Sequence, residues 1–140
     1  MTSGGMKEML EKNAFELVRQ YISGWKQNDL HLITSCLAEN CVVIESHGPV
    51  YNGIRDIEKW FKLWVEAKSA ISKWDILSFT FNEKEQTAFC EWDFVCISNN
   101  TQYALSGISV VKFLNHKINF IHEYRMTKPA YKWKDALKSE

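Results

Sequence analysis

The hydrophobic period of the chain changes once, from helical to strand-like, near Ile71, and this switch restricts the fold more than any other feature. Before it, Leu10, Ala14, Leu17, Val18, Tyr21, Ile22 and Trp25 recur at the spacing of one helix face, which predicts a long helix over about residues 6–28. Asn28-Asp29 breaks that helix, with Asp29 placed to cap a second, short helix through Leu37. A short apolar run, Cys41 to Glu45, precedes the turn residues of HGPVYNG, and Ile57, Trp60, Phe61 and Trp64 then mark a third amphipathic helix. Beyond it the residues alternate, predicting four strands at about 71–82, 86–98, 102–114 and 117–126. Turns are expected at Asn82-Glu83-Lys84, Ser98-Asn99-Asn100 and Asn115-His116-Lys117. Helices first and a strand meander afterwards is an α+β plan: a curved antiparallel sheet with three N-terminal helices packed on its concave face.

Strand parity assigns faces, because successive side chains point to opposite sides of a sheet. Cys90, Trp92, Phe94 and Cys96 form one inward set, leaving Glu91 and Asp93 outside. Leu105, Ser109, Val111 and Phe113 form the next, and Ile121 and Arg125 follow on the last strand. Ile108, Val110, Ile118, Phe120 and Tyr124 then fall on the outer face. That is more apolar area than a solvated sheet carries, and it reads as the interface of a homodimer.

Composition narrows the function. A length of 140 residues suits one domain, read as 6–126, preceded by a flexible lead-in at 1–5 and followed by a tail at 127–140. Lysine plus arginine equals aspartate plus glutamate at 17 each, so no net field draws the chain to nucleic acid or to an anionic membrane. The basic run from Lys128 to Lys138, interrupted by Asp135, reads as solvated surface. Cys36, Cys41, Cys90 and Cys96 lack C-x-x-C spacing and a neighbouring histidine pair, so no metal or redox centre is expected and the thiols read as free and mostly buried. No apolar stretch approaches the roughly 18 residues of a membrane span, and the expected location is cytoplasmic.

The tyrosine-bearing first helix, the NDL break, the LAEN-CVVIE entry into the first strand, a third helix beginning at Gly53, and GISVVKF followed by INFIHEYR together resemble one family of cone-shaped α+β domains. It includes ketosteroid isomerase, the SnoaL-like polyketide cyclases, scytalone dehydratase and nuclear transport factor 2. The resemblance covers about residues 6–126. It implies a cone-shaped sheet enclosing a pocket and cofactor-free chemistry next to a carbonyl. Against the ketosteroid isomerase pattern, Tyr21 falls on the catalytic tyrosine and Glu45 on the general-base aspartate. The third position, a protonated aspartic acid whose pKa logic is a worked case of general principle, falls on Ser109.

The same residues can be argued without the family. A carboxylate on an apolar strand is desolvated, becomes a stronger base, and can take a proton next to a carbonyl, which is the role expected of Glu45. Tyr21 could donate to the resulting oxyanion, with Ser109 as a second, neutral donor, in a pocket expected to be lined by Trp60, Trp64, Trp92, Phe94, Leu105, Val111, Phe113 and Ile121. The ligand would be a small apolar or aromatic molecule, bound without a cofactor. Each residue also has a plainer reading: Tyr21 as a core residue with its hydroxyl satisfied by Glu45 or water, Glu45 as a paired group at the pocket mouth, and the tryptophans as core. Arg125, pointing into the same cavity, would either pair with Glu45 or anchor a charged ligand. His47 suits a pocket-entrance shuttle or an ordinary loop position, and His31, His116 and His122 are assigned no role. Two other functions compete: an interaction module whose cone is closed by aromatic side chains, and epoxide opening. For the latter no D-x-R-type pair is read on one inward strand face.

Overall fold

A computed structural model describes residues 9–137, so the expected lead-in at 1–5, the stretch 6–8 of the expected first helix and the last three residues of the tail lie outside the described part. Helix α1 (Glu11–Lys26) buries Ala14, Val18, Tyr21, Ile22 and Trp25 of the stripe read from the sequence, while Leu17 is half-buried and Leu10, just ahead of the helix, is exposed. It ends where Asn28 enters the left-handed region at φ 52°, and Asp29 caps α2 (Leu30–Thr34) by accepting the Leu32 N–H at 3.0 Å. The second helix stops three residues short of the expected Leu37, because Leu37 already belongs to β1 (Leu37–Ile44), paired with Ile118. A short β2 (Val50–Asn52) leads into α3 (Gly53–Glu66), which starts at Gly53 with φ +81°. The meander follows as β3 (Ala70–Asn82), β4 (Thr87–Ser98), β5 (Thr101–Leu114) and β6 (Lys117–Arg125). Asn99-Asn100 and Asn115-His116 both have positive φ, the two-residue turn that matches strand twist.

The six strands form one curved, unclosed sheet in the order β2-β1-β6-β5-β4-β3. It is mixed, not wholly antiparallel as the sequence suggested: β1 runs parallel to β6 because the chain crosses from β1 through α3 to the far edge and returns strand by strand. Tertiary routing of this kind leaves no trace in local periodicity.

One face assignment also changes. Ile118 is fully buried in the core, not on the outer face, because the β5–β6 register slips between Lys112 and Phe113 and inverts parity across Asn119. The rest of the outer face is as read, with Phe89, Ile108 and Tyr124 exposed beside Glu91 and Lys112. The four cysteines are free and buried. The tail is exposed along its described length and carries α4 (Trp133–Leu137), a helix the sequence did not suggest. Among the described residues no helix is long and apolar enough to cross a membrane.

Candidate functional site

Two adjoining cavities occupy the concave side of the sheet, and three residues, Trp74, Trp92 and Glu123, line both. The outer cavity holds about 490 Å³, within the range of small-molecule sites. The inner one holds about 10 Å³.

Glu45 lies just past the end of β1, in a turn closed by its own N–H bonding the Pro49 carbonyl at 2.9 Å and by Gly48, φ +118°, donating back to the Glu45 carbonyl at 2.9 Å. The return strand β2 brings Tyr51 opposite Val43, and the Tyr51 hydroxyl donates to Glu45 Oε1 at 2.6 Å. The Tyr51 ring stacks on Trp60 of α3 with centroids 4.1 Å apart and planes 4° from parallel. Together these contacts fix the carboxylate in orientation while 23% of its side chain stays accessible. His47 stands 4.0 Å from it, more than half exposed, on the rim.

The apolar walls of the cavity come from four elements. Trp60 and Trp64 descend from α3, with Trp64 anchored by its indole N–H to Asn28 Oδ1 at 2.8 Å. Trp74 is on β3, and Trp92 and Phe94 are on β4; Phe94 meets Trp74 edge-on at 5.2 Å and Trp92 at 6.4 Å. Leu105 completes the apolar lining from β5. Arg125, exposed, sits where the cavity meets a surface groove bordered by Met126 to Pro129. Among the described residues it makes no ion pair, so it does not neutralise Glu45.

The residues expected to act together are therefore divided. Glu45, Trp60, Trp64, Trp92, Phe94, Leu105 and Arg125 line the outer cavity; Tyr21, Ser109, Val111 and Ile121 line the inner one together with Trp92. Tyr21 and Glu45 do not share a cavity, contrary to the sequence expectation, because the Trp74–Trp92–Glu123 partition stands between the two chambers. Phe113 lines neither and packs against Phe81 in the core. Ser109 accepts the Trp92 indole N–H at 2.9 Å, a bond that pins one partition residue.

Glu123 is a site residue that the sequence reading missed. It stands opposite Ser109 on β6, between Ile121 and Arg125 and on the same parity as both, so the alternation that placed those two inward also pointed to it. It also supplies an acid two residues before Arg125 on one inward strand face, the pairing that the sequence reading had found lacking. Burial, reinforced by the nearby charge of Glu45, pushes the Glu123 carboxyl up to about 8, so it keeps its proton at neutral pH. Burial and the Glu123 charge likewise hold Tyr21 well above the usual phenol value. Tyr51 is raised by burial and by its bond to Glu45, and both tyrosines remain donors. Tyr51 and Trp74 were missed for a different reason: a three-residue edge strand and a wall formed by four elements have no local signature. No group of three or more metal-ligating side chains occurs among the described residues.

The SnoaL-like domain model matches residues 18–121. The chain belongs to the SnoaL-like family. Solved structures similar to it share its fold. An epoxide hydrolase of M. tuberculosis aligns at TM-score 0.72 and 11% identity, covering 83% of this chain and 84% of the other. A cystatin-like fold protein from Methylobium petroleophilum aligns at 0.70 and 18%, covering 89% and 82%. A protein with a ketosteroid isomerase-like fold from Catenulispora acidiphila, solved with trimethylamine, aligns at 0.65 and 13%, covering 78% and 84%. At such identities the shared property is the fold. No curated protein matches this SnoaL-like chain by sequence.

Proposed function

We propose that the outer cavity binds a small, largely apolar, carbonyl-bearing or aromatic molecule and carries out cofactor-free proton transfer next to the carbonyl: an isomerisation, cyclisation or dehydration. One observation carries this reading: Glu45 and Glu123 line the same aromatic-walled cavity, and Glu123 is held protonated at neutral pH. Glu45, with one oxygen fixed by Tyr51, takes the proton from the carbon beside the carbonyl and can return it at another carbon. The Glu123 hydroxyl donates to the enolate oxygen as charge develops there. This is the part that the sequence reading gave to Tyr21 and Ser109, which lie behind the partition. The aromatic walls limit water and strengthen both interactions. Arg125 at the cavity mouth anchors substrate charge. The volume of about 490 Å³ favours a ligand site over a cone closed by its own tryptophans.

Epoxide opening is the second reading, favoured by Glu123 and Arg125 on one strand face. In it Glu45 activates water and Glu123 protonates the epoxide oxygen, so a diol product from an epoxide, with no isomerisation of enones, selects it.

Calorimetric titration with a nitrophenol ionised at neutral pH tests the site, since a phenolate mimics an enolate oxygen. Saturable binding is expected below about pH 8, weakening as Glu123 ionises, with the pH dependence abolished in Glu123→Gln. Binding indifferent to both pH and substitution, or none at all, removes the proposal.

A further inference from the structure

We propose that the inner chamber binds one ordered water that joins Tyr21, Trp74 and Ser109 to Glu123, which makes Tyr21 a positioning residue for that carboxyl. The chamber's volume of about 10 Å³ is at the lower limit for a single water and excludes anything larger. Two residues that line it carry buried donors that find no acceptor: the Tyr21 hydroxyl, whose oxygen the Trp25 indole approaches, and the Trp74 indole N–H. Buried donors without partners are rare because they forgo the bonds water would give them. Two acceptors line the same space: the Glu123 carboxyl, and Ser109 Oγ, which takes the Trp92 indole N–H at 2.9 Å and keeps a second lone pair.

The hydrogen-bond capacity closes around one molecule. A water accepts from Tyr21 and Trp74 through its two lone pairs and donates its two protons to Glu123 and Ser109. The remaining lining is mostly aliphatic, including Val18, Ile22, Val111, Ile118 and Ile121, so the water has no competing polar site. The sequence assigned Tyr21 a direct bond to the ligand's oxygen. The partition rules that contact out and routes Tyr21 through the water to the far side of Glu123. A donor bridged to a carboxyl favours its ionised form, so Tyr21 moderates how firmly Glu123 keeps its proton. The other ionisable groups on Glu123's side of the molecule are Glu45, His47, Cys96, Tyr103 and Arg125 around the outer cavity, Tyr51 beside Glu45, and Cys90 in the inner one, and none of them is altered by changing Tyr21.

The functional consequence rests on the role proposed for Glu123, but the water does not, so its test uses ligand-free protein. In wild type, a nuclear Overhauser cross-peak between the Trp74 indole proton and long-lived water is expected, and its absence overturns the proposal. In Tyr21→Phe the Glu123 carboxyl titration, followed by carbon NMR, should move upward by about half a pH unit or more. A purely structural Tyr21 would lower stability and leave the midpoint in place, and that result also overturns it. Ser109→Ala, which removes another of the water's partners, should shift the same midpoint upward and provides the reading if Tyr21→Phe fails to fold.

Discussion

A Glu45→Gln variant is expected to keep its fold and lose turnover by at least about a hundredfold, the usual contribution of a positioned general base. The amide is isosteric, and its carbonyl oxygen still accepts from the Tyr51 hydroxyl that meets Glu45 at 2.6 Å, so the turn at the end of β1 has no reason to rearrange. What disappears is the ability to take a proton. Assaying enone isomerisation and epoxide hydration side by side, with circular dichroism and thermal unfolding as controls, separates chemistry from folding. Turnover within a factor of about three of wild type, well short of what a general base supplies, would remove Glu45 as the base in both readings of the site.

The second large effect is structural. Gly107 pairs with Trp92 on one side and Arg125 on the other, and a Cβ built there would lie 2.0 Å from the Tyr124 carbonyl oxygen, 2.7 Å from Trp92 Cη2 and 3.0 Å from Arg125 Cα. Two of these obstacles are backbone, so no rotamer change relieves them. Gly107→Ala should therefore cost more than the usual 1–3 kcal/mol of overpacking, about 3 kcal/mol or more, a large share of a typical domain's 5–15 kcal/mol. Denaturant unfolding measures it, and a variant within about 1 kcal/mol of wild type would show that the strands part more easily than the geometry allows. Because the Trp92 ring forms part of the partition and bonds Ser109, the substitution should also disturb the cavity.

Legibility in the sequence followed the range of the forces involved. The α1 stripe, the Asp29 cap, the left-handed asparagine turns and the inward set on β4 are local, set by residues within a few positions of one another. The parallel β1–β6 pairing joins segments dozens of residues apart, and the slip that buries Ile118 is a bulge inside the β5–β6 hairpin that strict alternation passes over. The site divides in the same way. Arg125, Trp92, Phe94 and Leu105 were readable from strand parity, Trp60 and Trp64 from the stripe of α3, and Glu45 from its apolar run and the family resemblance, whereas Trp74 was not. Glu123 was readable too, since it shares the parity of Ile121 and Arg125, but it was given no role. Tyr51 and the separation of Tyr21 from Glu45 required three dimensions, because the barrier between the chambers is built from β3, β4 and β6.

The central claim is that the Glu123 carboxyl keeps its proton at neutral pH inside the cavity that Glu45 also lines, and carbon NMR of the Glu123 carboxyl across pH reads it directly. Glu123 should titrate near 8, against an ordinary value of 4.5. Between those values the native chain keeps a proton that the unfolded chain has lost. Stability should therefore fall as pH rises through that window and level off above it, with Glu123→Gln removing the slope. A Glu123 midpoint near 4.5, with stability flat across the window, would contradict the account.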